Sequence, residues 1–288
     1  MHIGFIGLGA MGEPIAANLA RVHQTSVYNR SFAKAEAHAQ QYGSQAVSLA
    51  QIAETEAILT CLPTSREVGE MVTELVPHLT PGQLWIDLTS GEPEKSRELA
   101  NRLAAMGVLF CDAPVSGGTA GARAGTLTIM VGGDPEAFPR VQDLLSPGAA
   151  RVVHVGPVGA GDAVKAVNNA LLAANLWATG EGLAALTAFG IDPAAALEVI
   201  NHSSGRSNAS ENLIPERVLS REFPLTFRLE LLVKDLTIAL SVLDNQVPAP
   251  LLRLTREVYF LALRELGSGR DHVEALKVLE HWAGVEIA

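Results

Sequence analysis

Lys165 and Asn169 stand four residues apart in the stretch 156–182, GPVGAGDAVKAVNNALLAANLWATGEG, where a glycine-rich loop runs into a segment apolar on nearly every side. On a helix this spacing sets the two side chains about 40° apart on one face, a single turn from each other. A cation and an amide on so apolar a helix must find partners or a ligand, because burying a charge without compensation costs several kcal/mol. The segment alone leaves two readings open. Either Lys165 carries its charge to water along its own apolar stem while a neighbouring loop satisfies Asn169, or both face a ligand.

A second set of residues with chemistry in their spacing lies at the start of the chain. Residues 2–6, HIGFI, read as a short strand that meets Gly7-Leu8-Gly9-Ala10-Met11-Gly12 and then the helical pattern EPIAANLARV. This strand, GxGxxG, helix order predicts a dinucleotide site. The first glycine permits the turn, the second lets backbone approach a pyrophosphate, and the third lets helix and strand pack closely. The helix N-terminus then offers unpaired N–H groups to the phosphates. The next strand, TSVYNR, ends at Asn29-Arg30-Ser31 with no Asp or Glu to bond a ribose 2′-hydroxyl. An Arg at this place can accept a 2′-phosphate, with Asn29 and Ser31 as hydrogen-bond donors, so NADP(H) is preferred over NAD(H). The plainer alternatives are a solvated charge for Arg30 and a helix N-cap for Ser31.

These residues need a frame. AILTCLP, QLWIDLTS and VLFCDAPV continue as strands, separated by helices around EVGEMVTELVPHL and EPEKSRELANRLAAMG. Strands alternating with helices predict a doubly wound, mostly parallel sheet, with ligand loops at the C-terminal strand ends. Leu62-Pro63, Thr89-Ser90 and Ser116-Gly117-Gly118 fall on those loops. TLTIMVGG and ARVVHVG, with a helix between them, complete an α/β Rossmann domain over 1–158. Beyond it strand patterning gives way to helical periodicity, which predicts an all-α domain over 159–288. A long helix over about 160–189 enters it, on the order of 45 Å in length and enough to link two domains. SSGRSNAS reads as a polar loop, a helix spans about 229–245 before VPAP breaks it, and Asp271 with Glu274 opens the last helix.

Composition bounds the partners. A net charge of −10 and a pI near 5.3 over 288 residues argue against nucleic acid, since no basic stripe is present. Cys61 and Cys111 form no CxxC pattern and sit in apolar runs, which suits packed free thiols in a reducing compartment. No run of about 18 apolar residues and no leader pattern is found, so a cytoplasmic protein without membrane contact is expected. The eight histidines form no ligand cluster, and no metal is expected.

Taken together, the motifs resemble the β-hydroxyacid dehydrogenase family, which includes 3-hydroxyisobutyrate dehydrogenase and tartronate, glyoxylate and succinic semialdehyde reductases. GLGAMGEPIAANL looks like its cofactor signature. Asp87-Leu88-Thr89-Ser90 is similar to its D-x-S-T loop with the hydroxyl residues reversed. DAPVSGGTAGARAGTL is similar to its substrate segment, GDAVKAVNN to its catalytic helix, and Lys234-Asp235-Leu236 to its K-D-L segment. By themselves Lys234 and Asp235 read as an ordinary exposed helix pair. The resemblance implies hydride transfer between NADP(H) and a small 3-hydroxy acid or semialdehyde, of the 3-hydroxyisobutyrate type. It implies Lys165 as proton carrier with Asn169 beside it. Thr89 and the Ser116, Gly117, Gly118 turn would hold the substrate carboxylate, and Lys234 would reach both substrate and cofactor. Gly7 to Gly12, Asn29 to Ser31, Leu62, Pro63, Ser90 and Asp235 would serve the cofactor, in a homodimer or homotetramer. Two rivals stay open: an imine reductase, which shares the fold and usually lacks the lysine, and an NADPH-binding module without catalysis.

Overall fold

Apolar runs such as AILT and LWID, with no polar side to turn outward, can form strands only where both faces of a sheet are covered. The computed structural model, which describes residues 1–243 and 247–288, places them so. Its strands are β1 (His2–Ile6), β2 (Gln24–Tyr28), β3 (Gln45–Ala46), β4 (Ala57–Thr60), β5 (Leu84–Asp87), β6 (Leu109–Asp112), β7 (Val115–Ser116), β8 (Leu127–Gly132) and β9 (Ala149–Gly156). They form one sheet in the order β3-β2-β1-β4-β5-β6-β8-β7, with β9 on β8. β1 through β6 are parallel, β8 runs antiparallel to β6 and β7, and β9 returns parallel to β8.

The helices of this part are α1 (Gly12–Ala20), α2 (Phe32–Tyr42), α3 (Leu49–Ile52), α4 (Ser65–Leu75), α5 (Pro93–Ala104), α6 (Gly118–Ala124) and α7 (Phe138–Leu145). Side chains alternate between the two faces of the sheet. Phe5, Leu59 and Ile86 join Ile15 and Leu19 of α1 in one core layer. Their neighbours Ile6, Ile58 and Trp85 join Val68 and Val72 of α4 and Leu103 of α5 in the other. Chain order reverses at β1, flanked by β2 on one side and β4 on the other, so the loops leaving β1 and β4 diverge there. That divergence is the usual ligand crevice of a doubly wound sheet.

The rest of the chain is helical: α8 (Ala160–Ala188), α9 (Pro193–Asn201), a π-helical segment (Ala209–Leu219), α10 (Leu229–Leu243), α11 (Pro250–Leu266) and α12 (Ala275–Ala283). Residues 244 and 245, the end of the helix expected over 229–245, lie outside the described residues. Two compact units result, Met1–Lys165 and Ala166–Ala288, and α8 runs from one into the other. In the second unit Ala166, Ala170 and Ala173, at helical spacing on α8, are at most 3% exposed, and Tyr259 of α11 donates its hydroxyl to the Ala173 carbonyl at 3.2 Å. Gly180 lets α12 approach, since a Cβ there would lie 2.6 Å from a Leu276 methyl.

Candidate functional site

In the first unit the loop after β1 is built by backbone geometry. Gly7 has φ +102° and donates its N–H to the Tyr28 carbonyl at 3.0 Å. A Cβ on Gly7 would strike the Cys61 carbonyl, and one on Gly12 would strike the Gly7 carbonyl. Both glycines are therefore demanded by the protein itself. Gly9 is different: it is exposed, and a Cβ there would meet nothing within 4 Å. Gly9 leaves an open approach to the backbone beside the start of α1, whose N-cap residue, Met11, forms no side-chain cap. A pyrophosphate fits such a cradle.

Asn29, at the end of β2, braces the loop. Its Oδ1 accepts the Leu8 N–H at 3.0 Å and its Nδ2 donates to the Ser31 carbonyl at 3.1 Å. The Asn29 amide is thus occupied within the fold, and the group turned outward at this strand end is Arg30, exposed and without an ion pair among the described residues. Ser31 occupies the N-cap position of α2 but makes no side-chain cap. Ala10 is exposed and Met11 half-buried on the same loop.

The loops after β4 and β5 are tied together. Thr89 Oγ1 accepts the Leu62 N–H at 3.1 Å, while Thr89 N and Thr60 Oγ1 donate to Asp87 Oδ1 at 3.1 and 2.8 Å. Thr89 is only 2% exposed, so its hydroxyl serves the frame, whereas Ser90 is half-buried and Pro63 exposed. Ser116 ends β7, and Gly117 and Gly118 follow with φ +130° and +61°, both exposed. Two successive residues in this region require glycine and turn the chain into α6.

In the second unit, Asn169 lies on the buried side of α8, 4% exposed, and donates Nδ2 to Asp235 Oδ2 at 2.6 Å. Asp235 is 2% exposed, and Lys234 Nζ lies 2.9 Å from its Oδ1 as an ion pair without hydrogen-bond alignment. Of the pair that reads as an exposed helix couple, Asp235 is therefore a buried anchor that fixes the amide's rotamer, and Lys234 beside it is half-buried. Lys165, half-buried, sits one turn before Asn169 on α8 and closes the first unit.

Sequence inspection assigned no role to Asp112 and Asp162, which are 0% and 1% exposed. Asp112 accepts Gly159 N–H at 2.7 Å and Asp162 N–H at 2.9 Å; Asp162 accepts Gly91 N–H at 2.9 Å and Ser96 Oγ–H at 2.6 Å. Burial pushes both carboxyls above the usual range, and Asp112 beside it pushes Asp162 further. The signal in the sequence for Asp112 is its place at the end of the strand run LFCD, like Asp87 at the end of LWID; the structure pairs the two on adjacent parallel strands. The Cys61 and Cys111 thiols are both pushed up to about 12 by burial and nearby carboxylates, which removes them as nucleophiles. No group of three metal-ligating side chains occurs among the described residues, and no helix there is long and apolar enough to cross a membrane.

A parallel sheet reversing at β1, with an open glycine turn on its first loop, defines a Rossmann-type dinucleotide-binding protein. Comparison with known proteins narrows the class. Residues 2–156 match the family described as the NAD binding domain of 6-phosphogluconate dehydrogenase, and residues 159–279 match that described as NAD-binding of NADP-dependent 3-hydroxyisobutyrate dehydrogenase. The chain is similar to 2-(hydroxymethyl)glutarate dehydrogenase of Eubacterium barkeri, 38% identical over 100% of this chain and 98% of that one. It is 35% identical to human mitochondrial 3-hydroxyisobutyrate dehydrogenase over 96% of this chain and 86% of that one. Among solved structures, Mycobacterium tuberculosis 3-hydroxyisobutyrate dehydrogenase with L-serine superposes with a TM-score of 0.87 at 29% identity, covering 96% and 98% of the two chains. The chain belongs to the β-hydroxyacid dehydrogenase family. It is an oxidoreductase of CH–OH donors that uses a nicotinamide cofactor.

Proposed function

We propose that this protein catalyses reversible hydride transfer between NADP(H) and a small 3-hydroxy acid or its semialdehyde, of the 3-hydroxyisobutyrate type. When bound, the nicotinamide supplies or accepts the hydride. The Gly7 to Gly12 loop binds the pyrophosphate through backbone N–H groups, and Arg30 pairs with a 2′-phosphate where an acid would repel it. Lys165 donates a proton to the substrate oxygen during reduction and accepts one during oxidation. Asn169, its amide locked by Asp235, holds that oxygen or Lys165 in line. Ser90 and the Ser116 to Gly118 turn take the substrate carboxylate, Thr89 holds the Leu62-Pro63 loop in place, and Lys234 serves as a cationic group for substrate and cofactor. In this reading residues 1–158 serve the cofactor and supply the carboxylate turn, and residues 159–288 serve the rest of the substrate and a homodimeric or homotetrameric assembly.

The observation that carries the reading is Lys165 one helical turn before a buried amide that a buried carboxylate has already oriented. For stability alone an apolar pair would pack as well. Relatives named 2-(hydroxymethyl)glutarate dehydrogenase and 3-hydroxyisobutyrate dehydrogenase, and the neighbour solved with L-serine, support a small hydroxy acid as the substrate. A panel of small hydroxy acids, semialdehydes and cyclic imines, assayed with both cofactors in wild type and Lys165→Ala, tests it. The expected result is semialdehyde reduction favouring NADPH, lost by about 10²-fold or more in the variant. Near-wild-type turnover in Lys165→Ala would overturn the assignment.

A further inference from the structure

Asp112 and Asp162 have no part in the proton transfer as assigned above, yet they converge on the helix that carries it. Asp112 closes β6 and meets the start of α8 with both oxygens, Oδ1 on Gly159 N–H and Oδ2 on Asp162 N–H. The first amides of a helix lack partners within it, and a carboxylate among them is favoured by hydrogen bonding and by the helix dipole. Asp162, itself in the first turn of α8, reaches away from the helix to Gly91 N–H and Ser96 Oγ–H, at the start of α5. The first turn is therefore held by two separate parts of the nucleotide-binding unit. Packing leaves it little room to slide: a Cβ on Gly161 would strike the Met130 carbonyl, and one on Gly132 would lie 2.5 Å from Asp112 Oδ1. Lys165 follows Asp162 by three residues, about 4.5 Å along the axis.

We infer that Asp112 and Asp162 are positioning residues for Lys165, setting the rotation and height of the first turn of α8 and hence the place of the ammonium. The inference rests on Lys165 being the proton carrier. Burial raises both carboxyls, so two acids here are a costly way merely to stabilise a helix end that a neutral cap would also serve. Asn in place of Asp112 keeps the shape but offers only one acceptor oxygen. One of the two amides then faces an N–H₂ group, and the turn must shift.

The test uses the full chain and compares Asp112→Asn, Asp162→Asn and Ser96→Ala with Lys165→Ala. Ser96→Ala removes a single hydrogen bond to Asp162 and leaves both carboxylates. NADPH binding is read by fluorescence, stability by melting, and chemistry by kcat and by the pH midpoint of kcat/KM for oxidation. Asp112→Asn is expected to bind NADPH within about twofold of wild type while kcat falls about 10- to 100-fold, as small misplacements of a reacting group do. The pH midpoint is expected to move by about half a unit, because Lys165 has new surroundings. Ser96→Ala should show the same changes, smaller. If Lys165→Ala is inactive while Asp112→Asn keeps kcat within about twofold, or loses activity with the midpoint unmoved, the positioning role is refuted. An active Lys165→Ala refutes the proton-carrier assignment instead. Should Asp112→Asn fail to bind NADPH, Asp162→Asn and Ser96→Ala decide by the same two readings.

Discussion

Asp87 makes the first unit less stable as pH rises, and the size of the effect follows from its surroundings. Burial pushes its carboxyl from 3.8 up to about 6, against the pull of hydrogen bonds from Thr89 and Thr60, with Asp112 adding to the rise. The folded chain therefore holds this proton to higher pH than the unfolded chain does. Its contribution is full below about pH 4 and is lost as pH rises through about 6. A shift of about two units corresponds to about 3 kcal/mol, of which about 2 kcal/mol falls between about pH 4.5 and 7.5. Asp87→Asn keeps an oxygen for Thr60 and Thr89 N–H but does not titrate, so this part of the slope should vanish. Trp85 supplies the probe: it is fully buried in β5 and donates Nε1–H to Thr60 Oγ1 at 3.2 Å, the hydroxyl that reaches Asp87. The chain has three tryptophans, and replacing Trp177 and Trp282 by Phe leaves fluorescence that follows the first unit alone. Urea unfolding of the two proteins across this pH range gives the difference directly. Asp271 titrates alike in both proteins and cancels, while the coupling of Asp87 to Asp112 and Asp162 is part of the difference. A change in that difference below about 0.5 kcal/mol between the two pH values would refute the reasoning.

Two glycines of the first loop should separate folding from binding. Gly9→Ala has room for its methyl, so its melting temperature is expected within about 2 °C of wild type while NADPH affinity drops about tenfold or more. Gly12→Ala drives a methyl into the Gly7 carbonyl and is expected to lower the melting temperature itself; equal melting of both variants would contradict the geometry. Arg30→Ala should weaken NADPH about 10- to 100-fold, the range of a charge-assisted hydrogen bond, and leave NADH within about twofold. Isothermal titration with each cofactor checks this, and an equal loss for both would remove the 2′-phosphate role.

Much of this architecture is legible from residue order because its causes are local. The runs AILT and LWID announce strands covered on both faces, and Gly7 to Gly12 announces the turn between β1 and α1. Strand direction is not local: nothing in TLTIMV reveals that β8 runs against β6. The turn GGTAGARAGT hides α6 because glycine is a poor helix former, and Pro215 interrupts the periodicity that would mark the π-helical segment. The same divide runs through the candidate site. Gly9 and Arg30 are visible as types at a spacing, whereas Asp112 acquires its meaning from amides 47 and 50 residues away. Thr89 and Ser90 look interchangeable on paper, and only burial separates the framework hydroxyl from the one nearer solvent.

Asn29 ties two traits of this protein into one heritable unit. It accepts from Leu8 and donates to Ser31, so the shape of the phosphate loop and the lack of an acid at the strand end are enforced by the same amide. An Asp there would still receive the Leu8 N–H but would set a carboxylate oxygen against the Ser31 carbonyl. On the proposed 2′-phosphate role of Arg30, a change of cofactor preference would meet a barrier at position 29 and a free path at position 30, whose side chain makes no ion pair among the described residues. Retuning cofactor choice in this scaffold, by selection or by design, should begin at Arg30.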